Sequence, residues 1–274
     1  MRAKLLIACL IVAVLSDLCL GTETQKDLEK QLRSKIKGQI FWLLKPYVVD
    51  NLEFDGGGYL SGDRETGSPA MNGLLQITSL SLNQDALRIG GWRVVAVLTP
   101  GQNENFSMVV TDLPIHITIH LAQPLSDESD AQTAWGKVFS IGDKNKSLAG
   151  FWKPLSEAKS DGKTTPHPDS DGVAGFLANH PVYNRRIGSV TLPKVRKSPR
   201  AEHYPPLGLI GGHTTITIII DESGRPALLI ADNPSDPLQS DAINRASRLF
   251  FTPATKDGKP ISVLLPFETE HRVQ

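Results

Sequence analysis

Residues 213–231 read HTTITIIIDESGRPALLIA. Ile216, Ile218, Ile219 and Ile220 stand among threonines, and β-branched residues in such a run predict a strand. Asp221-Glu222-Ser223-Gly224 predicts a turn, with glycine where a positive φ is needed. Ala227 to Ala231 then reads as the returning strand of a hairpin. Downstream, Asp232 to Gln239 is a polar connection with two prolines. Ser240 and Asp241 are the expected caps of a helix through Phe250, with Ile243, Ala246, Leu249 and Phe250 along one side. Thr252-Pro253 ends it, Asp257-Gly258-Lys259-Pro260 turns the chain, and Ile261 to Phe267 predicts a last strand. Strand, strand, helix, strand is an α+β unit in which the helix covers one face of a small sheet.

Upstream of this unit the pattern loosens. Residues 153–187 read as a linker, because 153–172 are rich in Lys, Ser, Asp, Gly and Thr and too poor in large apolar groups to order themselves. Residues 24–150 read as a β-rich domain. Leu28, Leu32, Ile36 and Ile40 recur every four residues and predict one amphipathic helix. Leu52-Glu53-Phe54, Leu74 to Leu82, Leu87 to Leu98 and Met108 to Leu121 predict strands separated by Gly, Pro, Asn and Asp. Within the last of these, Pro114 to Leu121 alternates strictly between polar and apolar residues. Asp130 is the expected cap of a short helix carrying Ala134, Trp135, Val138 and Phe139. The expected class is therefore α+β, a β-rich N-terminal domain joined to a small hairpin–helix–strand domain over residues 188–274.

The N-terminus reads as an address. Arg2 and Lys4 precede the apolar run Leu5 to Leu15, and Cys19-Leu20-Gly21 offers small residues to a signal peptidase. Residues 1–21 are thus expected to be a cleaved signal peptide; an uncleaved inner-membrane anchor is the alternative. Asp17-Leu18 before Cys19 is not the small-residue pair of a lipoprotein signal. Both cysteines, Cys9 and Cys19, fall in this leader, so the mature chain would lack disulfides, thiolate metal sites and cysteine nucleophiles. The 29 basic and 29 acidic residues balance, which gives no footprint for nucleic acid or an anionic membrane surface.

No catalytic constellation emerges. Gly162-Lys163-Thr164 lacks the earlier glycine of a phosphate loop, since Glu157 holds that position. Asp55-Gly56-Gly57-Gly58 between apolar residues reads as a hairpin turn. His116 and His120 would face the same way on a strand but lie about 13 Å apart, too far for one ion. His167, His180, His203 and His213 show no ligand spacing, and Ser61 lacks the Gly-x of a nucleophile elbow. Trp42, Trp92, Trp135 and Trp152 read as core or seam anchors, with a ligand site as the competing use. Asn105-Phe106-Ser107 and Asn145-Lys146-Ser147 are glycosylation sequons. The expectation is a protein that is not an enzyme and needs no cofactor and no metal.

From Gly188 onward the chain resembles the TonB C-terminal family. Tyr204-Pro205, the strand Thr215 to Ile220 with its Asp221-Glu222-Ser223-Gly224 turn, the helix Leu238 to Ala246, Phe251-Thr252-Pro253-Ala254 and Lys256-Asp257-Gly258-Lys259-Pro260-Ile261 occur in the family's order. The resemblance covers under a third of the chain and departs at Pro205-Pro206-Leu207-Gly208, where the family carries a longer helix. It implies binding by β-addition, in which a partner's extended segment pairs with a sheet edge. Ile261, Ser262, Val263, Leu264 and Leu265 are the candidate partner-binding residues, because the last strand is the expected edge. Pro260 and Pro266 limit its free length, and a closed structural role for the strand is the competing reading. The implied role is an exported periplasmic envelope protein of a Gram-negative cell, binding an envelope or outer-membrane protein. A membrane-anchored TonB-type transducer for outer-membrane transport is the first alternative. A periplasmic small-ligand binder is the second.

Overall fold

The computed structural model describes residues 25–62, 64–100, 106–140, 190–197 and 212–271. The expected leader 1–21, the linker 153–187, Gly162-Lys163-Thr164, Trp152 and the Tyr204-Pro205 motif lie outside the described residues.

Helix α1 covers described residues 25–36. It buries Leu28 and Leu32 on one side, as the four-residue period requires. The period misleads at Ile40: the chain turns at Lys37-Gly38, and Ile40 opens strand β1 (Ile40–Leu43). Then come β2 (Asn51–Phe54), the short helix α2 (Pro69–Asn72), β3 (Leu74–Leu82), β4 (Ala86–Leu98) and β5 (Phe106–His120). Asp55 folds the glycine-rich turn after β2, its Oδ1 accepting from the N–H groups of Gly57 and Tyr59 at 2.8 and 2.9 Å. Helix α3 (Glu128–Gly136) leads to β6 (Phe139–Ser140). Its cap is Asp127, not Asp130. The Asp127 side chain accepts from Asp130 N–H at 2.9 Å, and the Asp130 carboxylate accepts from Ser126 N–H and Oγ–H at 3.1 and 2.5 Å.

The C-terminal stretch holds β7 (Val190–Thr191), β8 (Val195–Lys197), the hairpin β9 (Gly212–Ile220) and β10 (Pro226–Ile230), helix α4 (Pro237–Ala246), and β11 (Phe250–Phe251), β12 (Ala254–Lys256), β13 (Lys259–Ile261) and β14 (Val263–His271). The expected strand, strand, helix, strand order is present. The expected helix limits are not: Asp236 caps α4 by accepting from Leu238 and Gln239 N–H at 2.9 and 3.2 Å. Ser240 and Asp241 lie inside the helix, and Phe250 already belongs to a strand. Proline fits the first helical turn, where no N–H is needed, so Pro237 starts the helix inside a stretch that reads as a polar connection.

Among the described residues, one mixed nine-stranded sheet gathers most of these strands, with β14-β9-β10-β4-β3-β1-β6 as its main path. Strand β5 flanks β4 antiparallel, and β2 lies parallel beyond it. Because β5 holds one edge of β4 along its length, β3 and β10 share the other edge end to end. The β4–β10 pairing is parallel and joins Val97 to Leu229 and Leu98 to Ile230. Ala231 N–H extends it by donating to Leu98 C=O at 3.0 Å. Smaller ladders, β11-β8 and β13-β12-β7, sit beside the C-terminal strands. The fold is thus α+β and strand-rich, as expected.

Side chains alternate along β4. On one face Leu87 and Ile89 join the core beneath α1 and α3, while Val95 and Val97 join the core beneath α4. Arg93 lies between the two cores, opposite a bulge in the β4–β5 ladder, and is 2% exposed. Its guanidinium donates to the carbonyls of Asn72 at 2.8 Å and Val49 at 2.6 Å, and Asp50 stands 3.5 Å away. On the other face Trp42, Leu74, Val94 and Leu98 pack with Ile219, Leu228 and Ile230. Polar ties cross between the two stretches of chain. Ser68 Oγ–H donates to Ala227 C=O at 2.6 Å, Arg225 pairs with Glu65, and Arg248 pairs with Asp112.

Candidate functional site

Strand β14 stands at one end of the sheet path. Its inner edge pairs with β9 without interruption, from Val263 opposite Ile220 to His271 opposite Gly212. Among the described residues no strand pairs with its outer edge.

The five candidate residues do not form one strand. Ile261 ends β13, where it pairs with Ala254 of β12. Ser262 is the buried joint between β13 and β14, and Val263 is buried against the α4 core. Leu264 and Leu265 are half-buried, opposite Ile219 and Ile218. The expected last strand Ile261–Phe267 is therefore displaced: it begins at Val263 and continues past Phe267 to His271.

The direction of its backbone groups follows from the ladder. Asp221 N–H donates to Arg225 C=O at the hairpin turn, so odd-numbered residues of β9 face β10 and even-numbered ones face β14. Ile220 and Ile218 thus bond inward to Val263 and Leu265, and the alternate residues Leu264, Pro266 and Glu268 present their backbone groups outward. Pro266 is tolerated for this reason, since its missing N–H costs the β14–β9 ladder nothing. The outer edge offers N–H from Leu264 and Glu268 and C=O from Leu264, Pro266 and Glu268. Leu265 and Phe267 turn their side chains to the α4 core and brace the edge from behind. Outward Leu264, Pro266 and Glu268 lie on the opposite face, where Pro266 and Glu268 are exposed.

Elsewhere the sequence candidates are dispersed. His116 and His120 are exposed on β5, beside Gly90 and Ala86 of β4. Ser61 is exposed in the loop after β2. Trp42 is buried, Trp92 is 39% exposed, and Trp135 stacks on Phe139 with ring centroids 4.2 Å apart. Sequence reading missed the outward role of Glu268. Parity relative to Pro266 was the available signal, because a proline inside a strand marks the outward-facing set.

Comparison with known proteins finds no matching family model, no matching curated protein and no matching solved structure.

Proposed function

We propose that this chain is an exported envelope protein that binds a protein partner by β-addition at the outer edge of β14, in the manner of the TonB C-terminal modules its last third resembles. The observation that supports it is the run Leu264–Glu268, with outward backbone groups, an α4-braced back and no partner strand among the described residues. A guest strand would take its hydrogen bonds at Leu264 and Glu268 and bridge the donor missing at Pro266. The role is binding rather than catalysis.

Glu268→Pro tests it in the full chain. Residue 268 faces outward, so proline there removes a donor to the guest but none to β9. A photocrosslinker at Leu264 should capture one envelope protein from Gram-negative envelope extracts, and Glu268→Pro should abolish capture while leaving Tm unchanged. Capture that survives Glu268→Pro, or no capture at all, would sink the reading. Sequencing the mature N-terminus separates the exported form, which starts near Thr22, from an anchored transducer that keeps its leader.

A further inference from the structure

At the other end of the sheet path, α1, α3 and β1 line a half-open cavity of about 540 Å³. Pockets that enclose small organic ligands run from roughly 300 to 1,000 Å³. Its walls are mainly apolar: Leu32 and Ile36 from α1, Phe41 from β1, Leu87 from β4 and Trp135 from α3. The aromatic wall is fixed in place, with Phe41 edge-on to Trp135 at 5.0 Å and Trp135 stacked on Phe139. Water inside such walls finds few hydrogen-bond partners, so an apolar occupant displaces it favourably.

The rim decides the charge of that occupant. Lys35 on α1 and Glu128 on α3 are paired across the gap, Lys35 Nζ donating to both carboxylate oxygens at 2.7 and 2.6 Å. Each charge is answered by the other, and Lys35 holds Glu128 below the usual carboxylate range. The rim is thus neutral overall and offers a charged ligand no unanswered counter-charge. Gln39, Gln132 and Ser140 supply uncharged hydrogen-bonding groups beside it. The bridged helices also close two sides, which suits a small molecule better than a partner's helix. We propose that this cavity binds an uncharged, mainly apolar ring-containing small molecule with a hydrogen-bonding group at its outer end. The site is independent of β14.

Two fluorescent probes that share one ring skeleton test the proposal on the full chain. Uncharged N-phenylnaphthylamine should bind saturably, one per chain, and its sulfonated anionic counterpart at least tenfold more weakly. Gln132→Trp, at an exposed position, should fill the rim and weaken the uncharged probe at least tenfold. Glu268→Pro should leave probe binding unchanged, so failure here and failure at β14 are separable. Equal or tighter binding of the anion, no saturable binding, or indifference to Gln132→Trp overturns the proposal. So does a concentration-dependent dimer that excludes the probe, which would assign the cavity to a second copy.

Discussion

Arg93 shows how one side chain can hold several elements in register. Burial lowers its pKa, and neighbouring Asp50 opposes the shift. Replacing it with methionine would strip the part-buried carbonyls of Val49 and Asn72 of their donor and leave its own buried place without a charge to house. We expect Arg93→Met to cost about 2 kcal/mol in urea unfolding, because two part-buried acceptors lose their donor together. Asp50 is 53% exposed, so Asp50→Asn should cost under about 1 kcal/mol. Equal losses would mean that the ion pair, not the carbonyl bonds, carries the effect. Asp130 gives a pH test. The Ser126 hydroxyl and N–H hold its carboxyl below the usual carboxylate range. A carboxyl depressed on folding adds stability above its unfolded pKa and loses it as pH falls through the folded one. Carboxyl-carbon NMR should therefore show Asp130 titrating low, and Ser126→Ala should move it upward. Strand parity puts Arg93 on the inward face with Ile89 and Val95, but nothing in the sequence showed what would receive its charge there, and only the surrounding carbonyls explain its place.

Turns and caps set the limits of the elements, and two glycines separate backbone strain from crowding. Gly224 and Gly258 have nearly equal φ, +83° and +77°. A Cβ at Gly258 meets nothing within 4 Å, so Gly258→Ala should cost only the left-handed penalty of about 1 kcal/mol. At Gly224 it would lie 2.3 Å from the Phe251 carbonyl oxygen, and Gly224→Ala should cost about 3 kcal/mol or more. Similar thermal shifts for the two would contradict this account. Asp236→Ala should cost about 1 kcal/mol through the lost α4 cap. Strands were the legible elements: alternation from Pro114 to Leu121 and the isoleucines of β9 locate them directly. Helix starts were less so. Ser240, Asp241 and Asp130 are good capping residues by type, but Asp236 before Pro237 and Asp127 before Glu128 hold the cap positions.

At the scale of the molecule, the β10–β4 pairing was not legible, because parallel strands so far apart in sequence leave no local mark. It makes the C-terminal strands part of the same sheet as β3, β4 and β5. Alone, residues 188–274 would expose the edge of β10 and lose Met71, Val95, Val97 and Val109 from the α4 core. We expect that fragment to lack a cooperative melt by circular dichroism, and the full chain to show one transition by every probe. Two separated transitions would contradict it. The same junction governs how the molecule would bear load. Tension applied through a guest on β14 crosses the β14–β9 ladder, of nine register pairs, and then reaches a β10–β4 seam with two. With so few backbone pairs, the seam leans on the two apolar cores that cross it and on the Arg225–Glu65, Arg248–Asp112 and Ser68–Ala227 ties, so if a partner pairs with β14 as proposed, side-chain packing rather than a continuous ladder would carry its pull into β4.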